Sequence, residues 1–119
     1  VADLAASAPM FWVAAIEGQM EGLVGLERHG DAGLLRSLAV SFSGRGHGLG
    51  TRLVDHVERE AAALGIGELV LLTETAADFF AGLGYRTVGR DAVPQAIRDS
   101  AEFRALCPAS ATCMCKAIR

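Results

Sequence analysis

Arg45, Gly46, His47, Gly48, Leu49, Gly50 and Thr51 place a cation and closely spaced glycines directly ahead of an amphipathic stretch. A strand that ends in such backbone and runs straight into a helix start aims several unpaired N–H groups, and the positive end of a helix dipole, at one point in space. Phosphate suits that point. A dinucleotide-binding loop requires G-x-G-x-x-G, but after Gly46 and Gly48 the third position falls on Thr51, and no acidic residue closes a second strand at the usual distance. A Walker loop requires Gly-Lys-Ser/Thr where this chain has Gly50-Thr51-Arg52. What remains is Arg45-x-x-Gly48-x-Gly50, with small residues where a pyrophosphate would approach the backbone; the competing reading is a glycine-rich turn that precedes a helix.

Two further sets of residues bear on chemistry. Arg36 lies among apolar and small residues in a strand expected to be covered on both faces, so it requires a partner or a ligand. Cys107, Cys113 and Cys115 sit close together with no cysteine elsewhere. Their odd number and the lack of a secretory signal argue for reduced thiols. Cys113 and Cys115 share one strand face and, with Cys107, offer soft sulfurs to a thiophilic metal or metalloid. Cys-x-Cys is not structural-zinc spacing, which favours the reading as buried small hydrophobes, and no metal site is assigned.

The elements that position these residues follow from periodicity. Phe11–Ile16 and Leu23–Glu27 read as a hairpin with polar turns, and Leu34–Val40 as a third strand. From Leu49 to Leu64 apolar residues recur at helical spacing (Leu49, Leu53, Val54, Val57, Ala61, Leu64), with Arg52, Asp55, Glu58 and Arg59 on the opposite face and Gly65 as the stop. Glu68–Thr73 is a near-continuous apolar run suited to a parallel central strand reached by that crossover helix. The glycine loop therefore sits at the carboxyl end of a strand in a βαβ unit, where ligands bind. Thr75-x-x-Asp78 reads as a capping box for a helix Ala76–Leu83 stopped by Gly84. Tyr85–Gly89 reads as a short strand, Pro94 to about Leu106 as one helix with Arg98, Glu102 and Arg104 on a solvated face, and Ala111–Ile118 as the last strand. His29 and His56 read as surface residues, and His47 as turned to solvent beside the loop.

At 119 residues the chain supports a single domain, 1–119, of α+β class. Its hydrophobic content of 51% contains no apolar run long enough for a membrane span. A net charge of −3 without a basic stripe argues against a nucleic-acid partner. Val1–Pro9 lacks the features of a secretory signal, which gives a cytoplasmic expectation.

The loop resembles the acetyl-CoA pyrophosphate loop of the GNAT acyltransferase superfamily. Thr73-Glu74-Thr75-Ala76-Ala77-Asp78-Phe79-Phe80-Ala81-Gly82-Leu83-Gly84-Tyr85 is similar to the GNAT stretch Asn-x-x-Ala-x-x-Phe-Tyr-x-x-x-Gly-Phe, matching at Ala76, Phe79, Gly84 and the aromatic Tyr85. Thr73 replaces the Asn, and Phe80 replaces the Tyr that in many relatives protonates the departing thiolate. This variant, with the tail from Pro94 through Ser100–Ala111, is similar to the arsenic-resistance N-acetyltransferase group and to the acetyltransferase domain of N-acetylglutamate synthases.

The resemblance implies a three-layer GNAT fold whose mixed, mostly antiparallel sheet carries a central parallel pair splayed at the cofactor. It implies acetyl-CoA as co-substrate, no metal, and direct acetyl transfer to a small amino-acid-like amine. Backbone amides of Leu38, Ala39 and Val40 would line the pantetheine arm, with Phe79 and Phe80 beside it, and those of Arg45–Thr51 would hold the pyrophosphate. An amine with a reference pKa of ~10 is under ~1% neutral at pH 7, so a base or water chain must take its proton. Glu27 and Glu74 are the acidic candidates, and Arg36 is the candidate for an acidic group on the acceptor, with an internal salt bridge as its alternative. GNAT domains normally begin with a strand and helical region of which Val1–Met10 covers little; that part is expected to be absent, leaving the acceptor wall incomplete or supplied by a partner subunit in a homodimer. The competing functions are a catalytically weak acyl-CoA-binding module and a thiol-based metalloid-binding protein.

Overall fold

The computed structural model describes residues 9–42, 48–105 and 110–119. Three strands come first: β1 (Met10–Ile16), β2 (Gln19–His29) and β3 (Ala32–Val40). Helix α1 (Leu49–Ala63) crosses to β4 (Glu68–Thr73), followed by α2 (Ala77–Gly82), the two-residue β5 (Arg86–Thr87), the short helices α3 (Gln95–Arg98) and α4 (Ala101–Ala105), and β6 (Thr112–Ala117). All six strands form one sheet in the order β1-β2-β3-β4-β6-β5. Every pairing is antiparallel except β3 with β4.

Alternation along the strands splits the core in two. Val24, Leu26, Leu35, Leu69, Leu71 and Met114 face α1, whose Leu53, Val54, Val57 and Ala61 close that side. Leu34, Val70, Cys113 and Cys115 face the other way, under Val93, Ile97 and Phe103 of the later helical segments. The two strand cysteines are thus packed as small hydrophobes, whereas Cys107 lies outside the described residues. Burying each large apolar side chain of this kind contributes about 2 kcal/mol. On the second face β1 is left open, with Phe11 and Val13 exposed. Among the described residues no helix is long and apolar enough to cross a membrane.

The helix stop at Gly65 is as expected: φ is +86°, and the amides of Leu64, Gly65 and Ile66 return to the carbonyls of Glu60, Ala61 and Ala62. Several other expectations are corrected. Thr75 does not cap α2; the N-cap is Ala76, and its amide donates to Thr73 Oγ1 at 3.0 Å. The Tyr85–Gly89 strand contracts to Arg86–Thr87, because Tyr85 turns into the core and its amide still bonds Phe80 of the helix end. The single helix from Pro94 is broken at Ser100, whose hydroxyl donates to the Ile97 carbonyl and accepts the Phe103 amide, so one serine ends α3 and starts α4. Glu58, on the polar flank of α1, is partly buried, and its carboxylate accepts from Lys116 Nζ at 3.0 Å and from Tyr85 Oη at 2.9 Å. His29 and His56 are not surface residues. His29 is bonded to Glu27, and the His56 ring meets Trp12 edge-on at 5.8 Å.

Candidate active site

The parallel pair β3/β4 is in register only over Ala32–Leu34 and Glu68–Val70. Past those residues the strands part, leaving the β4-facing edge of β3 without a strand partner. On its other edge β3 carries a bulge. Leu23 pairs Ala39 and Gly25 pairs Arg36, so Val24 stands opposite both Ser37 and Leu38. Ser37 absorbs the extra residue with φ of +60°, a conformation that strains a side chain other than glycine.

A cleft of about 240 Å³ occupies the gap. Leu34–Leu38 line one wall and Leu71–Thr73 the other, with Thr75, Ala76, Phe80 and Phe103 completing it. Leu35 and Phe80 belong to the α1 side of the core, whereas Leu34 and Phe103 belong to the opposite side. The cleft is therefore lined from both faces of the sheet.

Helix α1 starts beside Phe79 and Val40 on its own side of the sheet. Gly48 precedes it with φ of +70°, and among the described residues no side chain caps the first turn and no acidic residue stands in it. Among these residues the first N–H groups and the helix dipole meet no anion. A Cβ at Gly50 would lie 3.3 Å from the Phe79 ring and 3.8 Å from Val40, so glycine keeps the helix start close to both α2 and β3. Phe79 is half exposed beside this point, while Phe80 is buried against Tyr85 with ring centroids 5.5 Å apart. Leu49 is buried in the core and Thr51 is exposed. Leu38 and Val40 pack on the α1 side, and Ala39 is exposed. Arg45, Gly46 and His47 lie outside the described residues.

On the far face, Arg36 Nη1 donates to Glu27 Oε2 at 2.8 Å, and its guanidinium lies 5.7 Å from the centre of the Phe11 ring. Its internal salt bridge is thus present, on a residue that also lines the cleft. Glu27 is buried, lies behind Arg36, and gives its other oxygen to His29 Nε2 at 2.6 Å. Glu74 is exposed and accepts from Ser110 Oγ at 2.6 Å, so the structure does not bring Glu27 and Glu74 together.

A cleft between parting strands, lined from both faces of the sheet, offers strand backbone on one wall to an extended ligand. The chain matches the acetyltransferase (GNAT) domain over residues 7–87. It belongs to the GNAT family. Its sequence is 31% identical over 84 residues to amino-acid acetyltransferase from Neisseria meningitidis, covering 69% of this chain and 19% of that protein. The domain thus spans about a fifth of the length of the curated relatives it matches. N-acetylglutamate synthase from Neisseria gonorrhoeae, solved with coenzyme A and N-acetyl-glutamate, superposes with a TM-score of 0.81 at 24% identity, over 92% of this chain and 26% of that one. Rv2747 from Mycobacterium tuberculosis, solved with CoA and NLQ, gives 0.77 at 26% identity over 90% and 75%.

The GNAT fold, with its sheet order and its open parallel pair, is as the sequence resemblance implied. Sequence reasoning missed Ser37 and Phe103 as cleft residues, and gave Thr75 the role of meeting the chain at the start of α2, where Thr73 Oγ1 accepts the amide of the N-cap Ala76. For Thr73 the signal was present, since this is the position at which the family's Asn is replaced.

Proposed function

We propose that this GNAT domain transfers an acetyl group from acetyl-CoA to the amine of a small amino-acid-like acceptor. The observation that carries the reading is the parting of β3 from β4 after Leu34 and Val70, beside a helix start that meets no anion among the described residues. The pyrophosphate would meet the amides at Gly48–Thr51, with Arg45, Gly46 and His47 completing the loop. The pantetheine arm would run along Leu38, Ala39 and Val40 with Phe79 at its side and Phe80 at its base. Acetyl-CoA supplies a thioester whose carbonyl oxygen takes up negative charge as the amine adds, and one backbone donor aimed at that oxygen is worth about 3 kcal/mol.

The acceptor would enter from the Arg36 face, where the guanidinium fork suits a carboxylate. Phe80 has no acidic proton, so the departing thiolate would take its proton from water or from the protonated nitrogen of the tetrahedral adduct, leaving the amide and the free thiol. Of the two carboxylates, exposed Glu74 is free to exchange protons with solvent, whereas both oxygens of Glu27 are engaged. Holding both reactants in one cleft provides most of the remaining rate advantage. The likeness to an amino-acid acetyltransferase and an N-acetylglutamate synthase supports this acceptor class.

The test is to incubate the purified chain with acetyl-CoA and a panel of amino acids and to follow free thiol. Thiol release above the hydrolysis background is expected with carboxylate-bearing acceptors. CoA binding by calorimetry with no turnover on any amine would replace this reading with that of a CoA-binding module.

A further inference from the structure

We propose that Ser37 is a catalytic residue whose hydroxyl passes a proton from the nitrogen of the tetrahedral adduct to the departing sulfur. The inference rests on the reading of the cleft as an acetyl-transfer site.

Two described residues other than glycine have a positive φ, Glu17 and Ser37. Glu17 is explained by its turn: with Gly18 it makes the two-residue loop between the paired Ile16 and Gln19, a hairpin that demands such angles. Ser37 lies inside a strand, where it takes up the residue by which β3 exceeds β2 between Gly25–Arg36 and Leu23–Ala39. At φ of +60° a Cβ crowds the backbone, and a glycine would hold the same bulge without that cost. Burial does not repay it, because Ser37 is exposed. A side chain that neither the bulge nor the core requires, on a wall of the cleft, points to a task in the cleft.

Its place in the cleft says which task. Leu34 and Val70 are the last register pair of the parting strands, and three residues beyond each come Ser37 and Thr73. At the rise of a strand both stand about 10 Å from the vertex, one on each wall. Thr73 Oγ1 is held by the Ala76 amide at 3.0 Å, and the Arg36 fork is turned to Glu27 and the Phe11 ring. Phe80, also in the lining, has no proton to give. With the pyrophosphate at Gly48–Thr51 and the pantetheine arm along Val40, Ala39 and Leu38, the next residue in that order is Ser37. Its hydroxyl then meets the sulfur end of the arm.

The amine adds as its neutral form: the C–N bond forms, the carbonyl electron pair moves to oxygen, and nitrogen becomes positively charged. On collapse the C=O bond re-forms, the C–S bond breaks, and its electron pair goes to sulfur. Ser37 Oγ accepts one proton from nitrogen as its own proton passes to sulfur. The products are the amide, the CoA thiol and an unchanged serine. A hydroxyl both donates and accepts, so the relay requires no charged form of the serine.

Ser37→Gly removes hydroxyl and strain together; Ser37→Ala removes the hydroxyl alone. Each variant and the unmodified chain are loaded with acetyl-CoA and mixed with a panel of carboxylate-bearing amino acids, and the single-turnover rate is followed in H2O and in D2O. CoA affinity by calorimetry and the thermal midpoint are measured alongside. Both variants are expected to transfer about 10- to 100-fold more slowly with CoA affinity within about twofold, the loss being limited because water can enter the vacated space. Ser37→Gly should melt no lower than the unmodified chain, and the slowing in D2O should shrink in both variants. A Ser37→Gly chain as fast as the unmodified one, a loss of rate that only follows lost CoA affinity, or an undiminished D2O effect in slowed variants overturns the inference and leaves the transfer reading standing. CoA binding by the unmodified chain with no transfer to any amine overturns the transfer reading and this inference together.

Discussion

Glu27 and Glu58 are each shared between a cation and a second donor, yet their clusters differ in what lies beyond the cation. Around Glu58, Lys116 Nζ reaches both carboxylate oxygens at 3.0 and 3.1 Å and the Leu83 carbonyl at 2.9 Å, while Tyr85 Oη donates to the same carboxylate. Those bonds tie α1, the end of α2 and β6 into one unit, and none of the four residues lines the cleft. Around Glu27, the cation is the planar fork of Arg36, a residue that also lines the cleft. An ammonium cluster away from the cleft fastens elements, whereas a guanidinium on a cleft-lining residue offers a fork that suits a carboxylate. The difference separates what holds the site together from what would read the acceptor.

The largest effect should come from breaking the closed cluster. Glu58→Ala leaves the partly buried Lys116 ammonium and the Tyr85 hydroxyl without their carboxylate, which costs about 3 kcal/mol. For a domain of this size that lowers the thermal midpoint by about 10 °C in calorimetry. Below the midpoint the acceptor KM should match that of the unmodified chain. A raised KM with unchanged stability would erase the distinction between the clusters.

Arg36→Ala should do the reverse. Loss of the fork is expected to raise KM for a carboxylate acceptor about 10- to 30-fold with little change in kcat. The thermal midpoint should fall less than half as far as in Glu58→Ala, because Glu27 keeps its hydrogen bond with His29. A midpoint loss equal to that of Glu58→Ala, with KM unmoved, would make Arg36 a structural residue only.

How far these roles were legible in the sequence depended on the range of the interactions. Glu68–Thr73 was read to the residue, because a continuous apolar run between a helix stop and a turn carries its own boundaries. The start of α1 at Leu49 was equally local. The bulge was not, since Ser37 takes its left-handed conformation only because β2 and β3 use different numbers of residues between the same register pairs. The partner of Glu58 was not legible for a related reason: a position on the flank of α1 suits solvent or a partner equally, and Lys116 lies 58 residues away. The break at Ser100 did carry a signal, a residue type that competes for backbone bonds, but Pro94 and the apolar spacing around it argued for one helix. Arg36 was legible as a buried cation in need of an anion; which anion it meets within the fold is set by the Gly25–Arg36 register.

The smallest effect sharpens the comparison through pH. Tyr85 is the chain's one tyrosine, so its ionisation can be followed without ambiguity in the near-ultraviolet. Burial, reinforced by the charge of Glu58 and by the hydrogen bond to it, pushes the phenol far above its ordinary range. Below about pH 10 the phenol is protonated in the folded and unfolded chain alike, and its contribution is constant. Above that, the unfolded chain releases a proton that the folded chain keeps, so stability falls by about 1.4 kcal/mol per pH unit until the folded phenol also ionises. Tyrosinate absorbance should therefore rise together with loss of the far-ultraviolet helix signal, and in Glu58→Gln it should rise at lower pH. Ionisation at an ordinary tyrosine midpoint in an intact fold would show that water reaches this cluster as freely as it reaches the cleft, and Glu58 would then differ from Glu27 in position alone.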